Sequence, residues 1–480
     1  MDNTIVVSTY GAIGTELNAL NKTSWIATAY LLTTTAFQPL FGKLSDIFGR
    51  KSSLLFSYTV FGLGCLCCGL SRTMPQLIAA RALAGIGGGG MTTVVSILVS
   101  DIVPLRTRGT WQGALNIIFS SGAAAGAPLG GVLSDTIGWR WAFLLQFPLM
   151  VIALVSVTLN LNLPPPPSTP ATPATDFRSR IRRVDFFGAS TLVTSVLLLL
   201  LGLDHAGNIS LRDAAAYLPL IFSGVLFISF AYIERSVAAE PFAPPHVVKE
   251  RSILAACMAN FFSFGSYMSL LFYVPLYYQV VSGLTASEAG VRLLPAIVGS
   301  LAGSLTAGIA MQRTGGYYWI TVSGYTIGAL GTLMIPLFAN IPGLTSLGVF
   351  TAGIGLGASV TSSLIAIIAT AGTTDQAVAT AVSYLFRNLG TVVGVSVASM
   401  LVQETLRREL GRRLVGDDVE SIVRGVRGSL DYIVELPEET RTIVVTCYEM
   451  AIKQAFWLSV GMAAAAALSS LPMREKRLAR

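Results

Sequence analysis

The sequence predicts an all-α membrane protein that crosses the bilayer many times, and three observations lead to this fold class. Only 12% of the 480 residues are charged, while 53% are hydrophobic. The mean hydropathy is +0.66, and a soluble globular protein carries about 25% charged residues. Apolar segments of about 20 residues follow one another along the chain, each long enough to cross a hydrocarbon core of roughly 30 Å.

Thirteen apolar segments are predicted to span the membrane. They lie at residues 24–41, 52–71, 76–100, 113–134, 141–161, 186–203, 214–233, 253–281, 289–311, 318–339, 344–371, 376–402 and 451–472. Residues 1–13 form a further apolar piece, but as a helix it covers only about 20 Å and is too short to span. We expect it to be the second half of a first helix that is truncated here, which gives fourteen spans in the complete protein.

The charges of the loops predict the orientation. With the turn at 42–51 in the cytoplasm, seventeen Lys and Arg residues lie on the cytoplasmic side and four lie in the short loops of the other side. This is a positive-inside bias. The net charge of +7 is therefore an orientation signal rather than a nucleic-acid-binding patch. The five cysteines indicate neither a metal site nor a disulfide framework, and we expect no cofactor.

An internal repeat predicts the domain organisation. The stretch "GIGGGGMTTVVS" at 85–96 is echoed by "GIGLGASVTSS" at 353–363, and the turn at Gly42 is echoed at Gly308. The offsets, 353 − 85 = 268 and 308 − 42 = 266, nearly agree. Parallel repeats of this kind are typical of transporters that bind their substrate between the two halves.

The predicted organisation has five parts. They are an N-terminal six-helix half at 1–161, a cytoplasmic Pro-rich and basic linker at 162–184, a two-helix insert at 185–234, a C-terminal six-helix half at 253–472 that includes a long outer loop at 403–450, and a basic cytoplasmic tail at 473–480.

The turn "GKLSDIFGRK" at 42–51 carries the first specific motif. Its Gly42, Asp46, Gly49, Arg50 and Lys51 fit the pattern G-x-L-x-D-x-x-G-R-K, and here the chain resembles the major facilitator superfamily. Glycines permit a tight turn, and the aspartate can pair with a cation or lie at a helix N-terminus. We expect a latch that stabilises one of two access states, although an ordinary positive-inside loop would explain the two basic residues alone.

The stretch "RALAGIGGGG" at 81–90 is similar to the fourth-span motif of this family. It also fits a dinucleotide-binding fingerprint, but an apolar helix surrounds it and no acidic residue follows at the required distance. Arg81 lies inside a span, where a charged residue is costly. We expect it to take part in proton coupling, with a structural ion pair as the alternative.

The fifth span has the spacing of the family's antiporter motif, with the proline one place later than usual. The residues are Gly113, Gly122, Gly126, Pro128, Gly130 and Gly131. The resemblance implies an exporter or antiporter, and close helix packing is the simpler alternative.

The stretch "DNTIVV" at 2–7 resembles the first-span motif of the fourteen-span drug:proton antiporter branch. Asp2 is the one carboxylate that we place near the membrane midplane, so it is the candidate proton-coupling residue together with Arg81. Other polar residues within spans are candidates to line a substrate cavity, although each can also serve interhelical hydrogen bonding. They are Tyr30, Thr34, Gln38, Asn116, Tyr273, Tyr277, Gln279 and Arg387. Arg387 is expected either to balance Asp2 or to meet a substrate carboxylate.

The chain looks most like fungal members of this branch, which include vacuolar carriers of basic amino acids and plasma-membrane multidrug exporters. The resemblance implies a major facilitator fold and a proton-coupled antiporter, not an enzyme, that moves a small molecule out of the cytosol by alternating access. The favoured substrate is a basic amino acid moved into the vacuole. The alternatives are efflux of a drug-like cation or toxin at the plasma membrane and, more remotely, a nutrient sensor. Protons and the lipid bilayer complete the expected partners of a functional monomer that binds no nucleic acid.

Overall fold

The computed structural model describes most of the chain. The described residues are 24–104, 107–162, 185–208, 213–236, 245–284, 286–414 and 436–476, together with Asp2, Ile5, Val6, Thr9, Ile13, Gly14, Glu16, Leu17 and Ile433. This part of the chain is helical and contains no strand. Ten helical segments of this part are long and apolar enough to cross a membrane. The predicted all-α membrane fold is therefore confirmed.

The N-terminal half consists of an N-terminal segment, of which residues such as Asp2 and Ile13 are helical, and six helices. These are α1 (Ser24–Phe48), α2 (Arg50–Leu70), α3 (Met74–Ile102), α4 (Arg108–Thr136), α5 (Arg140–Leu144) and α6 (Gln146–Asn160). Only Gly49 separates α1 from α2, and its φ of +90° is a conformation that favours glycine. The second glycine of the 42–51 motif is thus required by the turn itself.

The two-helix insert consists of α7 (Phe186–Asn208) and α8 (Ala214–Ser236). The leucine-rich face of α7, which includes Leu192 and Leu200, packs with Leu32 and Leu40 of α1 in one apolar cluster. The same cluster contains Leu385 from the C-terminal half. The insert therefore contacts both halves of the bundle.

The C-terminal half contains the remaining helices. They are α9 (Pro245–Val248), α10 (Arg251–Val281), α11 (Ala286–Val291), α12 (Leu294–Thr314), α13 (Tyr318–Leu337), α14 (Pro342–Arg413) and α15 (Glu438–Ser470). Gly372 interrupts α14 with a φ of +74°. Its two segments, Pro342–Gly372 and Asp375–Arg413, each have the length and hydropathy of a membrane span.

The glycines of the internal repeat perform the same packing in each half. A Cβ at Gly85 in α3 would meet the backbone of α1 at Tyr30, and a Cβ at Gly353 in α14 would meet the backbone of α12 at Ala296. These contacts require the absence of a side chain, because the helix backbones are too close to admit a methyl group. The offset of 268 residues seen in the sequence thus corresponds to equivalent helix contacts.

The structure describes parts of two predicted connections between helices. We expected a long outer loop at 403–450, but α14 continues to Arg413 and α15 begins at Glu438, so both ends of that stretch are helical. Ion pairs one turn apart, such as Glu409 with Arg413 at 3.5 Å, suit a helix that extends beyond the apolar segment. Residues 415–432, 434 and 435, and most of the predicted linker, 163–184, lie outside the described residues.

Candidate functional site

A buried ion pair connects the N-terminal segment to α3. Arg81 Nη1 lies 2.8 Å from Asp2 Oδ2 and 2.9 Å from Asp2 Oδ1. Arg81 is fully buried, and Asp2 is only 8% exposed. The two residues predicted to couple transport to protons are therefore in direct contact. In this conformation the partner of Asp2 is Arg81, not Arg387.

The guanidinium of Arg81 lies in an aromatic and carbonyl-lined niche. Its Cζ is 4.3 Å from the centre of the Tyr30 ring and 5.7 Å from that of Phe143. Its Nε donates to the carbonyl of Ile26 at 3.3 Å. Aromatic faces attract a guanidinium electrostatically, and more strongly where water is excluded. The niche therefore stabilises the cation independently of Asp2.

Only one nitrogen of Arg81 holds the carboxylate. Both oxygens of Asp2 accept from Nη1, whereas Nη2 is buried without a hydrogen-bond partner in the described part of the chain. Gln146 Nε2 makes a weak further contact, 3.4 Å from Asp2 Oδ1. A fork-to-fork pair would use two nitrogens and hold the carboxylate more firmly. The carboxylate is therefore held less firmly than in a fork-to-fork pair.

The 42–51 motif lies at the end of the bundle that we call the basic end, marked by the turns at Gly49, Pro104 and Gly315. Arg50 forms ion pairs with Asp46, one turn earlier in the chain, and with Asp101 of α3, where Nε and Oδ2 are 2.9 Å apart. Lys51 Nζ donates to the carbonyl of Thr158 in α6 at 2.8 Å. The motif therefore connects α1, α2, α3 and α6.

The two halves meet at the basic end through a second set of polar contacts. Gln376, at the start of the second segment of α14, donates to Asp101 Oδ1 at 2.7 Å and accepts from Arg108 Nη1 at 3.0 Å. Thr110 of α4 donates to Gln312 of α12 at 3.1 Å. Asp101 thus binds both Arg50 of the motif and Gln376 of the other half. The motif is therefore connected to the interface between the two halves.

Packing reinforces the closure at this end. A Cβ at Gly42 would overlap Ala381 Cβ of α14, so the first glycine of the motif permits the halves to touch. Further from this end, Gln38 of α1 accepts a hydrogen bond from Asn388, and the hydroxyls of Ser96 and Tyr384 lie 2.6 Å apart. These contacts indicate a conformation that is closed at the basic end.

The predicted cavity residues of α1 have different surroundings. Tyr30 belongs to the niche of Arg81, and Gln38 joins the two halves. Thr34 Oγ1 donates to the carbonyl of Gly85 at 3.0 Å, which is the interhelical hydrogen bond of the simpler interpretation.

The candidates in α4 and α10 are not brought to the ion pair by any described contact. Tyr273 and Tyr277 are buried in the largest apolar cluster of the C-terminal half, and the hydroxyl of Tyr277 donates to Asn340 Oδ1 at 2.9 Å. Gln279 is half-buried. The side chain of Asn116 lies outside the described residues. Their place in a cavity stays a prediction.

The residues of the predicted antiporter motif all lie in α4. A Cβ at Gly113 would lie 3.2 Å from Leu305 of α12, so this glycine faces the other half. Gly126 and Gly130 are buried, Gly122 and Gly131 are half-buried, and nothing lies within 4 Å of a Cβ at Gly131. The side chain of Pro128 is not described. Close packing accounts for Gly113, and the functional role of the motif stays a prediction.

Arg387 is the second buried arginine of the bundle, at 3% exposure. Its Nη2 donates to the carbonyl of Val360 at 3.2 Å, and its Nε has no partner in the described part of the chain. The rings of Tyr384 and Phe264 lie 5.1 and 5.5 Å from its Cζ.

Sequence reasoning missed three residues of these networks, Asp101, Gln146 and Gln376. Asp101 lies at the end of a predicted span, where a carboxylate is ordinary, and the two glutamines belong to no motif. Their partners lie 51, 144 and 275 positions away. A single sequence contains no signal for such contacts.

Comparison with known proteins identifies the family to which this fold belongs. The chain matches the Major Facilitator Superfamily over residues 1–395. Its fold is similar to that of the solved proton:xylose symporter XylE, with a TM-score of 0.57 at 14% identity, over 97% of this chain and 91% of that one. At this identity the likeness concerns the fold.

Three fungal relatives are similar over most of their length. The vacuolar membrane amino acid uptake transporter fnx2 of Schizosaccharomyces pombe is 42% identical over 95% of this chain and 78% of its own. The multidrug resistance protein fnx1 of the same yeast is 36% identical over 99% and 90%. The vacuolar basic amino acid transporter 2 of Saccharomyces cerevisiae is 31% identical over 92% and 95%. This chain, a multi-pass integral membrane transporter and not an enzyme, therefore belongs to the Major Facilitator Superfamily.

Proposed function

We propose that this chain is a proton-coupled antiporter that exports basic amino acids from the cytosol into the vacuole by alternating access. The observation that carries the proposal is the buried pair of Asp2 and Arg81, held through a single guanidinium nitrogen. A carboxylate inside the bundle that can exchange its cation is what coupling between a proton and a cationic substrate requires.

The exchange follows from the cost of a buried charge. An unpaired carboxylate in an apolar interior is expensive, so Asp2 is always protonated, bound to a substrate cation or paired with Arg81. Removing one partner of a buried pair is strongly unfavourable, so Asp2 leaves Arg81 only when a proton or a substrate cation takes its place. A proton and a substrate ammonium therefore compete for one group, and this competition is antiport.

The contacts at the basic end would open and close as the protein changes between its two access states. If this end faces the cytosol, as the loop charges predict, the described conformation is open only toward the other side or occluded. Substrate would enter after the contacts of Gln376 with Asp101 and Arg108 separate. The ion pairs of Arg50 would then set how readily the basic end closes again.

The names of the relatives favour amino acids as the substrate class and the vacuolar membrane as the location. Two of the three carry names that describe vacuolar amino acid transport. The lumen of a vacuole is acidic, so protonation of Asp2 from the lumen would drive release of the substrate cation there. The decisive experiment is uptake into vesicles energised by a proton gradient, comparing lysine, arginine and histidine with lipophilic cations such as tetraphenylphosphonium.

The expected result is proton-driven accumulation of the three amino acids by the unaltered protein and none by Asp2→Asn, which imitates the protonated carboxylate. Arg441→Gln is the matched control, because Arg441 is exposed on α15. Accumulation of lysine by Asp2→Asn at the same abundance would show that coupling occurs elsewhere.

A second candidate function is multidrug efflux at the plasma membrane, which the 36% identity to a multidrug resistance protein favours. In that case the vesicles would accumulate the lipophilic cations and none of the amino acids. The dependence on Asp2 would be the same, because both cargoes are cations.

A further inference from the structure

Arg387 is a buried cation whose surroundings offer no counter-ion. It makes no ion pair with any residue that the structure describes, whereas Arg81, which is also buried, has Asp2. The contacts of Arg387 are one carbonyl, that of Val360, and the faces of two rings. A buried guanidinium without an anion is costly, and a protein retains one where the charge has a use.

The polar groups one turn away from these contacts are uncharged and already engaged with one another. Asn260 lies four residues before Phe264 in α10, and its Oδ1 accepts from Tyr325 at 3.1 Å and from Ser363 at 3.2 Å. Its Nδ2 points to Ser383 Oγ, 3.4 Å away. This cluster fixes the helices around Arg387 but supplies no negative charge. No anion for Arg387 is therefore found among the described residues of this cluster.

The position of Arg387 lets an anion reach it when the halves separate. Tyr384, whose ring covers the guanidinium, is hydrogen-bonded to Ser96 of the N-terminal half. Asn388, the next residue after Arg387, is hydrogen-bonded to Gln38 of the same half. Opening the basic end breaks both contacts, and because Tyr384 and Arg387 lie one turn apart on the same helix face, that face then borders the opened cleft.

We propose that Arg387 binds the carboxylate group of the transported molecule, so that the cargo is an amino acid rather than a cation without a carboxylate. This inference rests on the proposed transport of amino acids and names the group that the C-terminal half recognises. The planar guanidinium with its free Nε is suited to a carboxylate, which it can hold by two parallel hydrogen bonds. Asp2 of the N-terminal half would then bind an ammonium group of the substrate, and Arg387 of the C-terminal half would bind its carboxylate.

The test is equilibrium binding to the purified full-length protein in detergent, which does not depend on coupling. The probes are lysine, leucine, 1,5-diaminopentane (lysine without its carboxylate) and tetraphenylphosphonium. The variants are Arg387→Gln, Arg387→Lys and the exposed control Arg441→Gln. We expect the unaltered protein to bind lysine about 10- to 100-fold more tightly than the diamine, as for a lost charge-assisted contact. Arg387→Gln should remove that difference, and Arg387→Lys should restore part of it.

Thermal unfolding of the empty protein separates this role from a structural one. Because Arg387 has no counter-ion, Arg387→Gln should leave the melting temperature unchanged or raise it, whereas Arg81→Gln should lower it. A melting temperature for Arg387→Gln as low as that of Arg81→Gln would assign Arg387 a structural role and overturn the inference.

The binding outcomes distinguish this inference from the proposed function. Equal binding of lysine and the diamine, unaffected by Arg387→Gln, overturns the inference and leaves basic amino acid transport in place. Arg387-dependent binding of leucine without binding of lysine supports the inference and overturns the basic specificity. Binding of tetraphenylphosphonium alone overturns both.

Discussion

The ion pair of Asp2 and Arg81 predicts a specific pattern of stability in single and double variants. Arg81→Met leaves a carboxylate that is 8% exposed without a cation, and breaking a buried pair in this way costs about 3–5 kcal/mol. Asp2→Asn keeps an oxygen that can accept from Nη1, so it should cost less, about 1.5–3 kcal/mol, as for a hydrogen bond to a charged group.

The double variant is the informative one. If the two effects were independent, they would sum to about 4.5–8 kcal/mol. With both charges removed, no uncompensated ion stays buried, and we expect a loss of only about 1–2 kcal/mol. The coupling energy of the pair is then at least about 2 kcal/mol in magnitude, well above the scatter of roughly 0.5 kcal/mol expected for independent sites.

The assay is denaturant-induced unfolding in mixed micelles, followed by tryptophan fluorescence, with Arg441→Gln as the exposed control. Additive losses in the double variant would refute the reasoning, because they would mean that Asp2 and Arg81 do not compensate each other. The same samples, reconstituted in vesicles, report on function. The double variant should be folded and inactive in proton-driven uptake, which separates the role of the pair in stability from its role in transport.

Three further predictions concern the ends of the bundle. Asp46→Asn weakens the ion pair with Arg50 and should slow uptake several-fold without lowering abundance in the membrane; unchanged turnover would reduce the motif to a topological loop. Gln376→Leu removes both of its contacts across the halves, and cysteines introduced at the basic end should then react faster with a membrane-impermeant thiol reagent, while equal rates would contradict its role in closure. At the opposite end, hydrogen bonding from Arg140 holds the pKa of Glu16 below its usual range. The stability that Glu16 contributes is therefore fully present at pH values above the ordinary glutamate pKa of about 4.3. It is lost as the pH falls through the lowered pKa. Glu16→Gln should therefore lower the melting temperature at neutral pH but not in strong acid, and an equal decrease at both pH values would contradict the assignment.

The sequence predicts the fold well because runs of high hydropathy mark the segments that cross the membrane. The predicted span at 253–281 corresponds to α10 at Arg251–Val281, and the one at 318–339 to α13 at Tyr318–Leu337. The prediction fails where helices continue beyond the apolar segment, as α14 does to Arg413. Charged residues end the membrane signal there, but Glu, Leu and Arg are good helix formers, so the helix itself does not end.

The candidate site is only partly predictable, for a different reason. Asp2, Arg81 and Arg387 stand out because a charged residue in an apolar span needs an explanation. Hydropathy identifies such residues but not their partners. The sequence alone left open whether Arg81 or Arg387 balances Asp2, and the structure places Arg81 within 2.8 Å. Asp101 and Gln376 were missed because a polar residue near a helix end is ordinary, and only the packing of the two halves brings them together.

The charges buried in the two six-helix halves connect the proposed proton site to the proposed substrate. Among the described residues of those halves, the buried charged side chains are Asp2, Arg81 and Arg387, whose formal charges sum to +1 when the site is empty. Protonation of Asp2 raises the sum by one. Lysine, with two ammonium groups and one carboxylate, also raises it by one, and it offers a partner to both Asp2 and Arg387. The two loaded states therefore carry the same net buried charge, so exchange of one proton for one basic amino acid leaves that charge unchanged. A lipophilic monocation matches the charge but leaves Arg387 without an anion, and a neutral amino acid satisfies Arg387 without replacing the proton. Of these cargoes, only a basic amino acid meets both conditions.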